Sequence, residues 1–150
     1  MYLQLGLLSD LDGFTPHRDD LSEALAGNID WRYDLECALQ AGCYTVIHRN
    51  KVLAIGGNHG DQCWFVTSED VSELSHRDRM RFRKIIVQFR DLLLEDYPTL
   101  WNFMWEGNNN HRRFLTSIGA VFHDQYVQMA NGRFQLFTIG GAECVQSQEE

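Results

Sequence analysis

Trp101-Asn102-Phe103-Met104-Trp105, then Asn108, then Phe114-Leu115-Thr116-Ser117-Ile118-Gly119-Ala120-Val121-Phe122, is the stretch on which the fold turns. The first five residues alternate, with Trp101, Phe103 and Trp105 on one face of an extended chain and Asn102 and Met104 on the other. That period of two is what a strand imposes, and an aromatic face of this kind predicts core rather than a base-stacking platform. The run from Asn108 to Ile118 predicts a short helix ending at Gly119. Val121 to Met129 and Arg133 to Ile139 predict a closing hairpin around Asn131-Gly132, a pair that accepts the positive φ angles of a tight turn.

Working outward, Phe82, Ile85, Ile86, Phe89 and Leu93 fall at helical spacing, which predicts a long helix from near Ser75 to Tyr97. Pro98 ends it, because the proline ring disfavours helical backbone at the residue before. Ahead of that helix, Cys43–His48, Lys51–Ile55 and Gln62–Thr67 read as three strands. Arg49-Asn50 is the first turn between them and Gly56-Gly57-Asn58-His59-Gly60 the second. Two helices precede the strands. Asp19 and Asp20 open the first, which closes at Gly27; Asp30 caps the second, with Trp31, Leu35, Ala38 and Leu39 on one face and Gly42 as its stop. Tyr2–Leu8 is a weaker first strand. The order predicts a mixed α/β fold: a mostly antiparallel sheet of about six or seven strands with helices on both faces. The long helix crosses over from the Trp64 strand to the Trp101 strand, which makes that pair parallel. One domain is expected over residues 1–139, and the Gly-, Gln- and Glu-rich end, 140–150, is expected to be a flexible tail.

Composition narrows the function. The 150 residues, 44% of them hydrophobic, suffice for one sizeable core. Asp and Glu number 21 against 13 Lys and Arg, a formal net charge of −8, which argues against wrapping nucleic acid or lying on an anionic membrane. No apolar run approaches the ~20 residues of a membrane helix. The N-terminus, without a basic flank, does not read as a signal peptide. The four cysteines include no Cys-x-x-Cys pair and the six histidines no His-x-x-x-His or His-Glu-x-x-His pattern. Neither a disulfide framework nor a metal centre is therefore expected, and the composition suits a reduced, intracellular domain.

The element order, with the Trp101–Asn108–Gly119–Phe122 segment, resembles the GNAT superfamily, the Gcn5-related N-acetyltransferases. The resemblance implies a coenzyme A fold in which Asn108 and the helix after it line the pantetheine and adenine side. A second resemblance covers Leu53 to Ile139. Leu53-Ala54-Ile55-Gly56-Gly57-Asn58, Gly60-Asp61-Gln62-Cys63-Trp64-Phe65-Val66-Thr67-Ser68, Thr99-Leu100-Trp101-Asn102 and Phe134-Gln135-Leu136-Phe137-Thr138-Ile139 are similar to the gene-13-type proteins of short-tailed podoviruses. That family is associated with virion morphogenesis and internal virion proteins. The resemblance implies phage structural or host proteins as partners and a place in the host cytoplasm or the virion.

Acetyl-CoA is the cofactor that the fold implies, and its diphosphate needs a cradle. Acetyltransferases of this fold supply one with Gln/Arg-x-x-Gly-x-Gly/Ala between the fourth strand and the long helix, where backbone amides and a helix N-terminus meet the phosphates. Here the corresponding stretch, Thr67 to Ser75, contains no glycine and carries Glu69, Asp70 and Glu73. Negative side chains repel a diphosphate. Just beyond, Arg77, Arg79, Arg81, Arg83, Lys84 and Arg90 put six of the 13 basic residues on one helix, against the preference of its dipole. They serve an anionic partner or simply pair with nearby carboxylates. Should the cofactor bind, Asn108, Arg77, Arg79 and Ser75 are the candidates to hold it.

Amine acetylation also needs an acid and a base. Counting back from Gly119 puts Leu115 where the family carries a tyrosine acid, and leucine donates no proton. Tyr126 is the substitute acid; Glu106, with His59 and Asp61 behind it, is the candidate base. Each has an alternative as an ordinary strand or loop residue. Cys63 with His59 four positions earlier is read as a buried thiol rather than a nucleophile. The resemblances imply an acetyltransferase-like protein of virion assembly, and these residues add the expectation of a degenerate cofactor site. The alternatives are an active N-acetyltransferase acting on a protein or small-molecule amine and, less supported, a host-directed inhibitor.

Overall fold

The computed structural model describes residues 1–140. Seven strands form one sheet in the order β1-β2-β3-β4-β5-β7-β6: β1 Tyr2–Leu5, β2 Tyr44–His48, β3 Lys51–His59, β4 Gln62–Thr67, β5 Thr99–Trp105, β6 Ala120–Met129 and β7 Gly132–Gly140. Every pairing is antiparallel except β4 with β5, as the crossover through the long helix requires. The helices are α1 Arg18–Gly27, α2 Trp31–Ala41, α3 His76–Asp96 and α4 Asn109–Ser117, with short 3-10 turns at Leu8–Leu11 and Glu69–Glu73. β7 runs through Gly140, one residue past the expected domain limit; the rest of the expected tail, 141–150, lies outside the described residues.

The local signals act as residue chemistry predicts. Asp30, Ser75 and Asn108 each accept a backbone N–H as helix N-caps, and Gly42 takes φ 106° after α2. Helix α1 stops on Asn28, not Gly27, in the left-handed conformation at φ 53°. One expected turn is displaced. Gly56 and Gly57 lie inside β3, and the reversal occurs at Gly60, φ 58°. A Cβ on Gly56 would sit 2.8 Å from both the Phe65 Cβ and the Trp64 carbonyl, so the glycine serves close strand approach rather than a turn.

Helices cover both sheet faces. On one, Leu93 of α3 and Leu115 of α4 pack with Leu100, Met104, Phe137 and Ile139. On the other, Leu35 and Leu39 of α2 pack with Leu11, Phe14, Cys43 and Ile55. The two faces of β5 are not equivalent: Leu100 and Met104 are 1% exposed, whereas Trp101, Phe103 and Trp105 are half-buried. The fully buried core thus lies opposite the aromatic face expected to form it. Trp105 instead packs where α1 meets the β6–β7 turn: a Cβ on Gly132 would clash with the Trp105 ring at 2.7 Å and press on the Ala26 Cβ at 3.1 Å.

Candidate functional site

β4 and β5 touch at a single register point, Gln62 opposite Trp101, and then diverge. Around that point Trp101 N donates to Asp61 O (3.1 Å) and the Asn102 amide donates to Cys63 O (2.8 Å). Beyond it the sheet opens into a gap. A cavity of about 780 Å³ runs through this gap, lined among others by Cys63, Phe65, Asn102, Phe103, Phe89 and Leu93.

Strands that separate leave backbone donors without partners, and unpaired buried N–H groups are costly. Helix α1 supplies the acceptors. Asp20 Oδ2 accepts both Thr67 N and Thr67 Oγ1 at 2.8 Å, at the end of β4. Glu23 Oε1 accepts Trp105 N at 2.7 Å, at the end of β5. Phe103 N is bonded by the side chain of Asn102 (2.7 Å). On the other sheet face, α4 reaches α1 through the gap. Asn110 donates to Asp19 Oδ2, and His111 Nδ1 stands 3.6 Å from Glu23 Oε2. Burial alone would lower the His111 pKa; the facing Glu23 carboxylate, with the charge of Asp20, outweighs it and raises the value above the ordinary imidazole range.

The segment after β4 is equally committed. Ser68 N donates to Leu53 O (2.8 Å), Glu69 N to Thr15 O (2.9 Å), Asp70 N to Ser68 Oγ (3.0 Å) and Val71 N to Ser68 O (3.2 Å). Ser68 itself is 1% exposed. Each of these four amides therefore has an acceptor within the chain, and Asp70 lies 3.6 Å from Lys51 Nζ.

The residues singled out from sequence fall in three places. Ser75 caps α3 by accepting Asp78 N, Arg79 donates to the Ser72 carbonyl at 2.8 Å, and Arg77 is exposed. Asn108 is 2% exposed and caps α4, its amide 3.5 Å from Asp19 O. Glu106 and Tyr126 meet at one cation outside the gap. Glu106 accepts two bonds from Arg133 (3.0 and 2.8 Å), and the Arg133 guanidinium lies 3.9 Å over the Tyr126 ring. Leu115 is core at 2% exposure. His59 ends β3, and Asp61 accepts the Trp101 indole N–H at 2.8 Å. Burial pushes the Cys63 thiol up to about 11, which keeps it protonated and inert at neutral pH.

The basic run on α3 divides the same way. Arg83 and Arg90 donate to the Ser117 and Ile118 carbonyls at the C-terminal end of α4, where cations oppose the negative end of the helix dipole. Arg81 pairs with Asp78. Sequence reading missed the α1 contribution altogether: Asp20 and Glu23 occupy one helix face at three-residue spacing, which by itself reads as a solvated surface.

Comparison with solved structures shows the fold. The aminoglycoside acetyltransferase AAC(6′)-Ib, solved with ribostamycin and coenzyme A, superposes with a TM-score of 0.62 over 100% of this chain and 99% of its own, at 12% identity. Ribosomal-protein-alanine N-acetyltransferase from Brucella melitensis gives 0.59 over 93% and 99%, at 10% identity. A GNAT-family acetyltransferase from Bacillus cereus gives 0.60 over 93% and 96%, also at 10% identity. In sequence, the family model described as "Bacteriophage T7, probable scaffold protein Gp13" matches residues 42–127. The probable scaffold protein gp13 of Escherichia phage T7 is 48% identical over 131 residues, 87% of this chain and 91% of that protein. The chain is therefore a member of the phage T7 gp13 family, built on a GNAT acetyltransferase-like fold.

Proposed function

We propose that this protein acts in virion assembly, inside the infected host cell, through its surfaces, on an acetyltransferase-like scaffold whose acetyl-CoA site has been closed. The single observation that carries the closed site is the commitment of the backbone after β4. Amides that would have to turn toward a diphosphate already donate to Leu53, Thr15 and Ser68, among Glu69, Asp70 and Glu73. Opening them would leave several intrachain bonds unmade, at about 1–3 kcal/mol for each buried donor left without a partner. The assembly role is supported by the scaffold description of the 48% identical phage relative. Phage structural proteins are the partners this reading implies.

The second reading is a working N-acetyltransferase. It is supported by the cavity between β4 and β5 and by a fold that, in AAC(6′)-Ib, has been solved with coenzyme A. In this reading Asn108, Arg77, Arg79 and Ser75 hold the cofactor, with Glu106 and Tyr126 as base and acid. Isothermal titration with acetyl-CoA and with coenzyme A separates the two. The scaffold reading expects no heat of binding at millimolar ligand. Micromolar binding that is lost in Arg77→Ala or Asn108→Asp overturns it. Phage carrying either substitution should then assemble normally in the scaffold reading and fail if acetyl transfer is what assembly needs.

A further inference from the structure

We propose that Asp20, Glu23 and His111 form a binding site for a divalent first-row transition-metal ion, with Zn²⁺ preferred, that bridges α1 to α4 through the gap between β4 and β5. The proposal stands apart from the assembly reading, since neither the closed cofactor site nor a scaffold role requires an ion.

One ligand atom from each of the three residues lies within 4.8 Å of the other two, a span that an ion with bonds of about 2.0–2.2 Å can bridge with small side-chain adjustments. They form the one such group among the described residues. The site is more than a run of acids, because an imidazole from a separate helix completes it. His111 Nδ1 is shielded from solvent, has no hydrogen-bond partner, and faces Glu23 Oε2 at 3.6 Å. The ring is held edge-on against Phe65, centroids 5.1 Å apart.

Both carboxylates are oriented by hydrogen bonds from the sheet. Asp20 Oδ2 is fixed by the Thr67 amide and hydroxyl, and Glu23 Oε1 by the Trp105 amide. Backbone donors on two different strands thus set both carboxylates, as outer-shell partners do at metal centres. Charge points the same way. Two neighbouring, half-buried carboxylates repel each other; an imidazolium offsets one negative charge, whereas a dication offsets both. All three residues line the 780 Å³ cavity, leaving the ion's remaining positions open to water or a small ligand there. A nitrogen donor among oxygens favours Zn²⁺ over Mg²⁺ or Ca²⁺, and the Irving–Williams order places it above Mn²⁺.

The test uses the full chain, stripped with chelator and titrated with Zn²⁺, Mn²⁺ and Mg²⁺ by calorimetry, and with Co²⁺ by visible absorption. One equivalent of Zn²⁺ is expected, with Mn²⁺ weaker and Mg²⁺ silent, and Co²⁺ should develop d–d bands. His111→Gln and Glu23→Gln should each weaken Zn²⁺ at least tenfold, whereas His76→Ala on the exposed start of α3 should not. Because Glu23 also caps Trp105, circular dichroism of each variant checks folding. Should Glu23→Gln unfold, His111→Gln alone decides. No Zn²⁺ binding at millimolar concentration, binding undiminished in His111→Gln, or Mg²⁺ binding as tightly as Zn²⁺ would each overturn the proposal.

Discussion

The two walls of the β4–β5 gap are held in different ways. The β5–α4 wall is built from the strand, the capping Asn108, the short helix and Gly119. In the β4–α3 wall the strand and the long helix are joined by the 3-10 turn Glu69–Glu73. The difference teaches what each wall is for. Residues on the first are held by packing, because Leu115 and Ile118 belong to the core with Leu100 and Met104. The connection on the second carries a lighter load: none of Glu69–Glu73 is fully buried, and Val71 rests half-buried against the cluster of Val46, Leu53 and Phe82. A connection outside the fully buried core is freer to change than a helix that the core needs.

Substitutions ranked by size sharpen this contrast. The largest loss belongs to the packed wall: Leu115→Ala should lower stability by about 2–5 kcal/mol, read by urea denaturation. Next comes the bridge between the walls. Asp20→Ala leaves the Thr67 amide and hydroxyl without their acceptor and should cost about 1–3 kcal/mol in the same assay. Asn108→Ala removes a buried cap and should cost about 0.5–2 kcal/mol. If Asn108→Ala proves neutral for stability yet abolishes acetyl-CoA binding, Asn108 has a ligand role and the contrast breaks. The smallest effect is expected at Glu106. It pairs with Arg133 at the surface, and Glu106→Ala should leave the melting temperature unchanged.

Thiol chemistry offers an independent check on where the interior begins. Burial raises Cys43 and Cys63 to about 11, so roughly one thiolate in a thousand is present at pH 8. Iodoacetamide at that pH should label exposed Cys37 while peptides holding Cys43 and Cys63 stay unmodified. Labelling of these two should rise as pH climbs toward 11. Rapid labelling of Cys63 at pH 8 would mean that the gap admits reagent and solvent freely.

Most of the fold is legible in residue patterning. The apolar spacing from Phe82 to Leu93 with Pro98 marks α3, Asn131-Gly132 marks the last hairpin, and the crossover makes β4 and β5 parallel. Gly56-Gly57 misleads because glycine serves both turns and close strand approach, and only the neighbouring Phe65 decides which. The site is harder to read. The loop after β4 is visible as a glycine-free stretch with three carboxylates, but what it faces is not. Asp20 and Glu23 meet Thr67, Trp105 and His111 only because two strands part, and periodicity records which face a residue takes, not where a sheet opens. The α3 arginines show the same limit: their charge is plain in sequence, whereas the α4 carbonyls that accept Arg83 and Arg90 exist only after folding.

The most direct test of the closed cradle is amide hydrogen exchange at Ser68, Glu69 and Asp70, followed by NMR with and without millimolar acetyl-CoA. Exchange slowed by the bonds to Leu53, Thr15 and Ser68, and unaltered by the cofactor, is the predicted result. Rapid exchange in the free protein that becomes protected on adding acetyl-CoA would show these amides turning toward a ligand and would contradict the account.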